Sequence, residues 1–126
     1  MQMPDISKHI LVVEDEKPLA KALVLKLTTV GFTVKVAYDG QEAVGLLASE
    51  PFDLVLLDLI MPRMDGFGVL EWMNKQGKHP KVIVLTNLGQ EEDIAKIKSM
   101  GVDDYFVKAN ISLTDLVERI KVDLGA

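Results

Sequence analysis

Three runs in this chain are apolar without interruption: Ile10-Leu11-Val12-Val13, Leu54-Val55-Leu56-Leu57 and Val82-Ile83-Val84-Leu85. A strand with one face in water alternates apolar and polar residues. One that is apolar throughout is covered on both faces, the usual situation in a parallel sheet. Five strands are expected in all, over His9 to Val13, Phe32 to Ala37, Phe52 to Leu57, Lys81 to Leu85 and Tyr105 to Val107. The second of these alternates more, as a strand at a sheet edge should.

Between the strands the apolar residues recur with a helical period. Pro18 to Val30 sets Leu19, Leu23 and Leu27 in one stripe beside Ala20 and Val24, with Pro18 suited to a first turn and Gly31 to the position past the end. Asp39 to Glu50 opens with Asp39 and Glu42 spaced as a capping box, buries Ala43, Leu46 and Leu47, and stops before Pro51. Phe67 to Asn74 groups Phe67, Leu70 and Met73. Glu91 to Met100 carries acids in its first turn, turns Ile94 and Ile97 inward and ends at Gly101. Ser112 to Leu124 has a capping serine and then Leu113, Leu116, Val117, Ile120 and Leu124.

Strand and helix thus alternate from end to end. That order implies an α/β fold, a parallel sheet between two helical layers with right-handed crossovers. No stretch reads as a linker or repeat, so residues 1–126 are expected to form a single domain. The absence of cysteine excludes disulfides, thiolate zinc sites and a thiol nucleophile. A net charge of −5 argues against binding nucleic acid or an anionic membrane through this chain. No apolar run approaches the roughly 20 residues of a membrane span. Met1 to Lys8 lacks the apolar core of a signal peptide, and a cytoplasmic location is expected.

Sheets of this kind place ligands at the carboxyl ends of their strands, near the point where the strand order reverses. The residues just beyond the apolar runs are therefore the informative ones: Glu14-Asp15-Glu16, Asp58, Thr86-Asn87 and Lys108. Acids in such places commonly cap helices or sit in water, and Glu16 is read that way, as favouring the first helix. Asp58 is different, because Leu57 and Leu59 flank it in an otherwise apolar run. A lone carboxylate buried there is costly unless paired or bound to a cation, and clustered carboxylates repel one another. A hard divalent cation such as Mg²⁺ would answer both problems with oxygen ligands. From the residues alone, a cation site and a structural acid cluster both remain open. Taken singly, Lys108 reads as a solvated charge, Thr86 as a strand or cap residue and Tyr105 as packing. The loop Met61 to Gly66 reads as a turn with a glycine hinge, Trp72 as half-buried and the methionines as packing. His9 and His79 fall at strand starts, away from the acids, and receive no catalytic role.

Four motifs stand in order, each at a strand end: Val12-Val13-Glu14-Asp15-Glu16, Leu56-Leu57-Asp58 through Asp65-Gly66, Val84-Leu85-Thr86, and Gly101-Val102-Asp103-Asp104-Tyr105-Phe106-Val107-Lys108. With them the chain resembles the receiver domain of bacterial two-component response regulators, from about His9 to Leu124. The resemblance implies a flavodoxin-like, doubly wound five-stranded sheet of order 2-1-3-4-5. It implies that Asp58 accepts a phosphoryl group from a sensor histidine kinase or a small phosphodonor. Mg²⁺, or Mn²⁺ in its place, would be held by Asp15, Asp58 and the backbone carbonyl of Ile60, with Glu14 acting through water. Lys108 would pair with a phosphoryl oxygen and Thr86 would donate to the phosphoryl group. Tyr105 would then turn inward and alter the surface of the fourth helix, fifth strand and fifth helix, which contacts a downstream protein or output domain. The protein would be a switch that catalyses only its own phosphorylation and dephosphorylation, either a monomer or a phosphorylation-dependent dimer.

The sequence departs from the family pattern in several places. Ala109 follows Lys108 where the family usually has proline in a cis bond. A cis bond before alanine costs about 3 kcal/mol, so a trans peptide and a rearranged loop from Lys108 to Ile111 are expected. Asn87 is larger than the usual small residue and would narrow access to Asp58. Ile60 and Leu88 place apolar groups at the family's variable positions, which implies slow self-dephosphorylation. Glu14 stands where aspartate is also common. Other classes fit less well. A phosphohydrolase of the haloacid-dehalogenase type needs a second aspartate where Ile60 stands. A flavin or nucleotide module needs a phosphate-cradling loop where Glu14-Asp15-Glu16 would repel it. A receiver-like scaffold independent of phosphorylation, or a fragment of a longer regulator, completes the alternatives.

Overall fold

The structure is a computed structural model and describes residues 8–125. All but one residue of the segment read as lacking a signal peptide, and Ala126, lie outside the described residues. Five strands, β1 (His9–Val13), β2 (Thr33–Ala37), β3 (Leu54–Leu57), β4 (Lys81–Thr86) and β5 (Asp104–Val107), form one parallel sheet of order β2-β1-β3-β4-β5. Helices α1 (Lys17–Thr29), α2 (Gly40–Ser49), α3 (Gly66–Lys75), α4 (Glu91–Ser99) and α5 (Leu113–Leu124) make the crossovers. This is the expected doubly wound architecture.

Side chains alternate across a strand, so each strand feeds two cores. Leu11, Val13, Val55, Leu57, Val82 and Val84 face α2, α3 and α4, meeting Ala43, Val69, Leu70, Met73 and Ile97. Ile10, Val12, Leu54, Leu56, Ile83 and Leu85 face α1 and α5, meeting Leu23, Leu27, Leu116, Val117 and Ile120. The uninterrupted apolar runs are explained by this two-sided burial. At the edge, β2 exposes Thr33 and Lys35 in alternation.

Local signals mostly act as expected. Gly31, at φ 103°, follows α1, and Ser112 accepts the Asp115 N–H at 3.1 Å. Asp39 Oδ1 accepts the Glu42 N–H at 2.8 Å, but the Glu42 carboxylate reaches back to the Tyr38 N–H, one residue earlier than a capping box would have it. Strands β2 and β3 begin later than expected, and β4 extends to include Thr86. Phe32 and Phe52 pack from outside the ladder, since apolar character marks burial and not pairing. Leu46, Leu47 and Ile94 are half-buried, because α2 and α4 flank a sheet they cover only in part.

The loop after β3 is a correction to the expected hinge. Gly66 is the first residue of α3, and its N–H donates to the Leu59 carbonyl at 2.9 Å. A Cβ there would overlap the Asp58 carbonyl oxygen and lie 2.7 Å from Leu59 Cα. Gly66 is needed for close approach, and it braces the backbone carrying Asp58. Gly66→Ala is expected to destabilise the fold by about 1–3 kcal/mol, the usual cost of overpacking, read as a lower urea midpoint with an unchanged slope.

Candidate functional site

In a parallel sheet every strand ends on the same edge, and here four of those ends carry polar residues. β1 lies between β2 and β3, so the chain reverses its direction of winding between β1 and β3. Val13 pairs with Leu57, which sets Glu14 beside Asp58 in register. The Asp58 N–H donates to the Val13 carbonyl at 3.0 Å, and the Glu14 N–H donates to the Ala37 carbonyl at 3.0 Å. Backbone bonds to neighbouring strands thus fix both residues before any side-chain contact is counted.

Asp15, Glu16, Asp58, Ile60, Asn87 and Lys108 line a cleft of about 260 Å³ over this edge. One carboxylate oxygen from each of Glu14, Asp15 and Asp58 falls within 4.8 Å of the others. A larger cleft of about 600 Å³, lined in part by Trp72 and His79, opens at the opposite sheet edge and contains none of these carboxylates. Size therefore does not identify the site here.

The Lys108 ammonium sits among the acids. Its Nζ lies 2.9 Å from Glu14 Oε1, 2.8 Å from Glu16 Oε2 and 3.0 Å from Asp58 Oδ2. Lys108 leaves β5 into a short 3₁₀ turn over Lys108–Asn110, and no described peptide bond is cis. The Lys108–Ala109 bond is trans, as expected, and the lysine reaches Asp58. Asp58 Oδ1 also accepts the Ile60 N–H at 3.3 Å, and Glu14 Oε2 accepts the Glu16 N–H at 3.0 Å.

Burial raises the Asp58 carboxyl above its ordinary value, opposed by the bond to Lys108, while the charge of Asp15 adds to the rise. Burial pushes Glu14 up to about 7 against the same lysine bond. Burial alone would lower Lys108, yet its bonds to Glu16, Glu14 and Asp58 outweigh this and hold it above the ordinary lysine range. The ammonium is therefore firmly charged, and the two buried acids are the strained partners.

Thr86 is fully buried at the end of β4, beneath the cleft and not on its wall, and its Oγ1 accepts the Leu88 N–H at 3.2 Å. Tyr105 pairs with Val84 in register and packs against the same core, so Thr86 and Tyr105 share one face of the sheet. Tyr105 is half-buried, with Lys98 Nζ 6.0 Å from its ring centre. Ile60 is 56% exposed at the rim.

Two residues near the site carry more than their sequence reading suggested. Glu16, read as favouring α1, makes no side-chain cap and instead binds Lys108. Arg63, part of the supposed turn, adopts φ 65° and binds Asp39 Oδ2 through Nε at 2.8 Å and Nη2 at 2.7 Å. The Glu42 N–H and then the Arg63 guanidinium hold the Asp39 carboxyl below its usual range. The Arg63 contact depends on a loop conformation and had no sequence signal. The Glu16 contact had none either, since Glu14, Asp15 and Asp58 already offered three acids to the same lysine.

Residues 10–121 match the family described as the response regulator receiver domain. The chain belongs to that family. It is 38% identical over 120 residues to the probable transcriptional regulator ycf27 of Guillardia theta, covering 95% of this chain and 46% of that protein. It spans about half the length of the curated relatives it matches. Among solved structures, a response regulator receiver domain from Francisella superposes with a TM-score of 0.88 at 30% identity, covering 94% of this chain and 98% of that one. The response regulator TrrA of Thermotoga maritima, solved in complex with Mg²⁺ and beryllium fluoride, superposes with a TM-score of 0.80 at 33% identity, covering 93% and 98%. No helix among the described residues is long and apolar enough to cross a membrane.

The elevated Glu14 carboxyl gives this receiver a signed pH dependence in metal-free buffer. Its folded value of about 7 lies above the ordinary 4.5, so the folded state retains a proton that the unfolded chain releases. Stability contributed by that proton is present in full below about 4.5 and is lost as pH rises to about 7. Glu14→Gln should remove the loss. Its urea-derived stability relative to the parent, measured in a metal chelator, is expected to improve by about 3 kcal/mol between the two ends of that window.

Proposed function

We propose that the protein is a phosphorylation switch in which Asp58 receives a phosphoryl group and the buried Thr86–Tyr105 face communicates it to a partner. The single observation that carries this reading is the position of Asp58: buried to 5% exposure, in the wall of an open cleft, with Lys108 at 3.0 Å. A carboxylate oxygen of Asp58 attacks phosphorus, and the donor's bond to phosphorus breaks with its electron pair leaving on the donor. An acyl phosphate results on Asp58. Lys108 supplies a fixed positive charge for the phosphoryl oxygens, without reorganisation at the moment of transfer.

The donor set fits Mg²⁺, since it consists of hard oxygens only and stands open to a cleft that can admit waters and a phosphoryl group. Asp15, Asp58 and the Ile60 carbonyl would hold the ion directly, and Glu14, whose two oxygens already engage Lys108 and the Glu16 N–H, would act through water. When bound, Mg²⁺ or Mn²⁺ would neutralise charge on the phosphoryl oxygens.

After transfer, the phosphoryl dianion competes for donors. The Thr86 hydroxyl can turn toward it, vacating space on the face it shares with Tyr105. This biases the α4–β5–α5 surface between two arrangements. The donor is a sensor histidine kinase and the receiver of the signal a downstream protein or an attached output domain. The protein turns over no substrate but itself. It acts in the cytoplasm, as a monomer or a dimer that forms on phosphorylation, and contacts no nucleic acid or membrane through this chain. The receiver and transcriptional-regulator relatives support this reading.

Acetyl phosphate with Mg²⁺ should add one phosphoryl mass, seen by intact mass spectrometry, and Asp58→Asn or a metal chelator should abolish the addition. A scaffold independent of phosphorylation would take up none. Ile60 lines the cleft and Leu88 packs against the core shared with α2, α3 and α4; the pair would limit hydrolytic water at the acyl phosphate, which therefore decays slowly. Ile60→Asn combined with Leu88→Glu should accelerate decay by about tenfold, equivalent to roughly 1.4 kcal/mol of barrier. An unchanged decay rate would refute the shielding role.

A further inference from the structure

Three carboxylate oxygens crowd the Lys108 ammonium. Its Nζ donates to Glu16 Oε2 at 2.8 Å and to Asp58 Oδ2 at 3.0 Å, and Glu14 Oε1 forms an ion pair with it at 2.9 Å. A phosphoryl oxygen arriving at Asp58 can bind Lys108 only by displacing one of them. The three are unequal. Glu14 and Asp58 are 2% and 5% exposed, and stripping either of its lysine partner leaves a buried charge uncompensated. Glu16 is 58% exposed, so water replaces the lost bond at little cost.

We infer that Glu16 is a positioning residue: its carboxylate occupies the place on Lys108 that a phosphoryl oxygen takes, and must leave for that oxygen to bind. This deepens the phosphorylation reading and rests on it. Glu16 does not act on the reacting atoms. It holds Lys108 aimed into the cleft and sets how readily the lysine is released. Its backbone supports this role independently of the side chain, because the Glu16 N–H is fixed by Glu14 Oε2 and its carbonyl accepts the Ala20 N–H as α1 begins. Substituting the side chain therefore leaves the helix start in place.

The two ligands of the cleft should respond in opposite directions. Glu16 adds negative charge near the cation-binding carboxylates but competes with an anion for Lys108. Glu16→Ala should weaken Mg²⁺ binding by about twofold and tighten beryllium fluoride, titrated at saturating Mg²⁺, by about threefold to fivefold. Both are read from amide chemical shifts. A merely structural disturbance would weaken both, and that result, or no change in either, overturns the inference. Glu16→Asp keeps the charge but falls short of Lys108. It should bind Mg²⁺ like the parent and beryllium fluoride like Glu16→Ala; parental affinity for both would show that no contact is being displaced. In metal-free protein the Lys108 ammonium resonance should broaden in both variants as the Glu16 acceptor is lost, and an unaltered signal counts against the inference. If the parent protein takes no phosphoryl group from acetyl phosphate, the switch reading fails, while the metal-free resonance still reports whether Glu16 holds the lysine.

Discussion

The contact of one ammonium with three carboxylates at the open edge of the sheet is the interaction on which the site depends. Neither side of it is tolerable alone. Glu14 and Asp58 are buried among strand ends where an unpaired charge is expensive, and Lys108 is 12% exposed. Together they neutralise one another only in part, since three potential negative charges surround one positive charge. Burial displaces Glu14 and Asp58 upward against the bond to Lys108, and the neighbouring acids add to the rise. A site left electrostatically incomplete in this way is one that the proposed cation and phosphoryl group would complete.

The sheet topology makes this concentration possible at modest structural cost. In an antiparallel sheet, residues following successive strands would be divided between two edges. Here all strands run the same way, so Asp15, Asp58, Thr86 and Lys108, separated by up to 93 positions in sequence, emerge together. The same topology divides labour between faces. Thr86 and Tyr105 belong to the core shared with α2, α3 and α4, and Phe106 to the one under α5. A change at Thr86 is thus coupled by strand register to the side of the molecule that holds α4. That helix is anchored by a single fully buried side chain, Ile97, and by Lys96 lying 4.1 Å from the Phe67 ring centre. An element with so small a buried footprint is able to respond to a shift beneath it.

The elements and the strand-end residues were legible in the sequence because both follow from short-range rules. Apolar continuity marked β1, β3 and β4, helical period marked the crossovers, and the residue after each run marked the site. What escaped was whatever depended on the path of a loop. Arg63 pairs with Asp39 across 24 residues through a left-handed backbone conformation that its type does not advertise. Gly66 resembled a hinge because glycine is permissive, whereas its function is to let α3 approach the Asp58 carbonyl. Strand boundaries slipped at Phe32 and Phe52 for a related reason: burial and hydrogen-bond pairing coincide in strand interiors but separate at their ends.

Glu16 is the exposed member of the carboxylates around Lys108. By position it was an acid before a helix, a place where acids are commonplace. In the folded chain its carboxylate accepts from the Lys108 ammonium, as the buried Asp58 does. The proline that usually follows this lysine in the family is replaced by Ala109, and yet the ammonium arrives at Asp58 through a trans peptide and a 3₁₀ turn. The direction of the side chain is therefore set by its acceptors as well as by its backbone. A lysine aimed by charge in this way can follow the negative charge as it moves. In the proposed switch a phosphoryl group would shift the centre of charge from the Asp58 carboxylate outward into the cleft, with the buried Glu14 as pivot and the solvated Glu16 as the partner released.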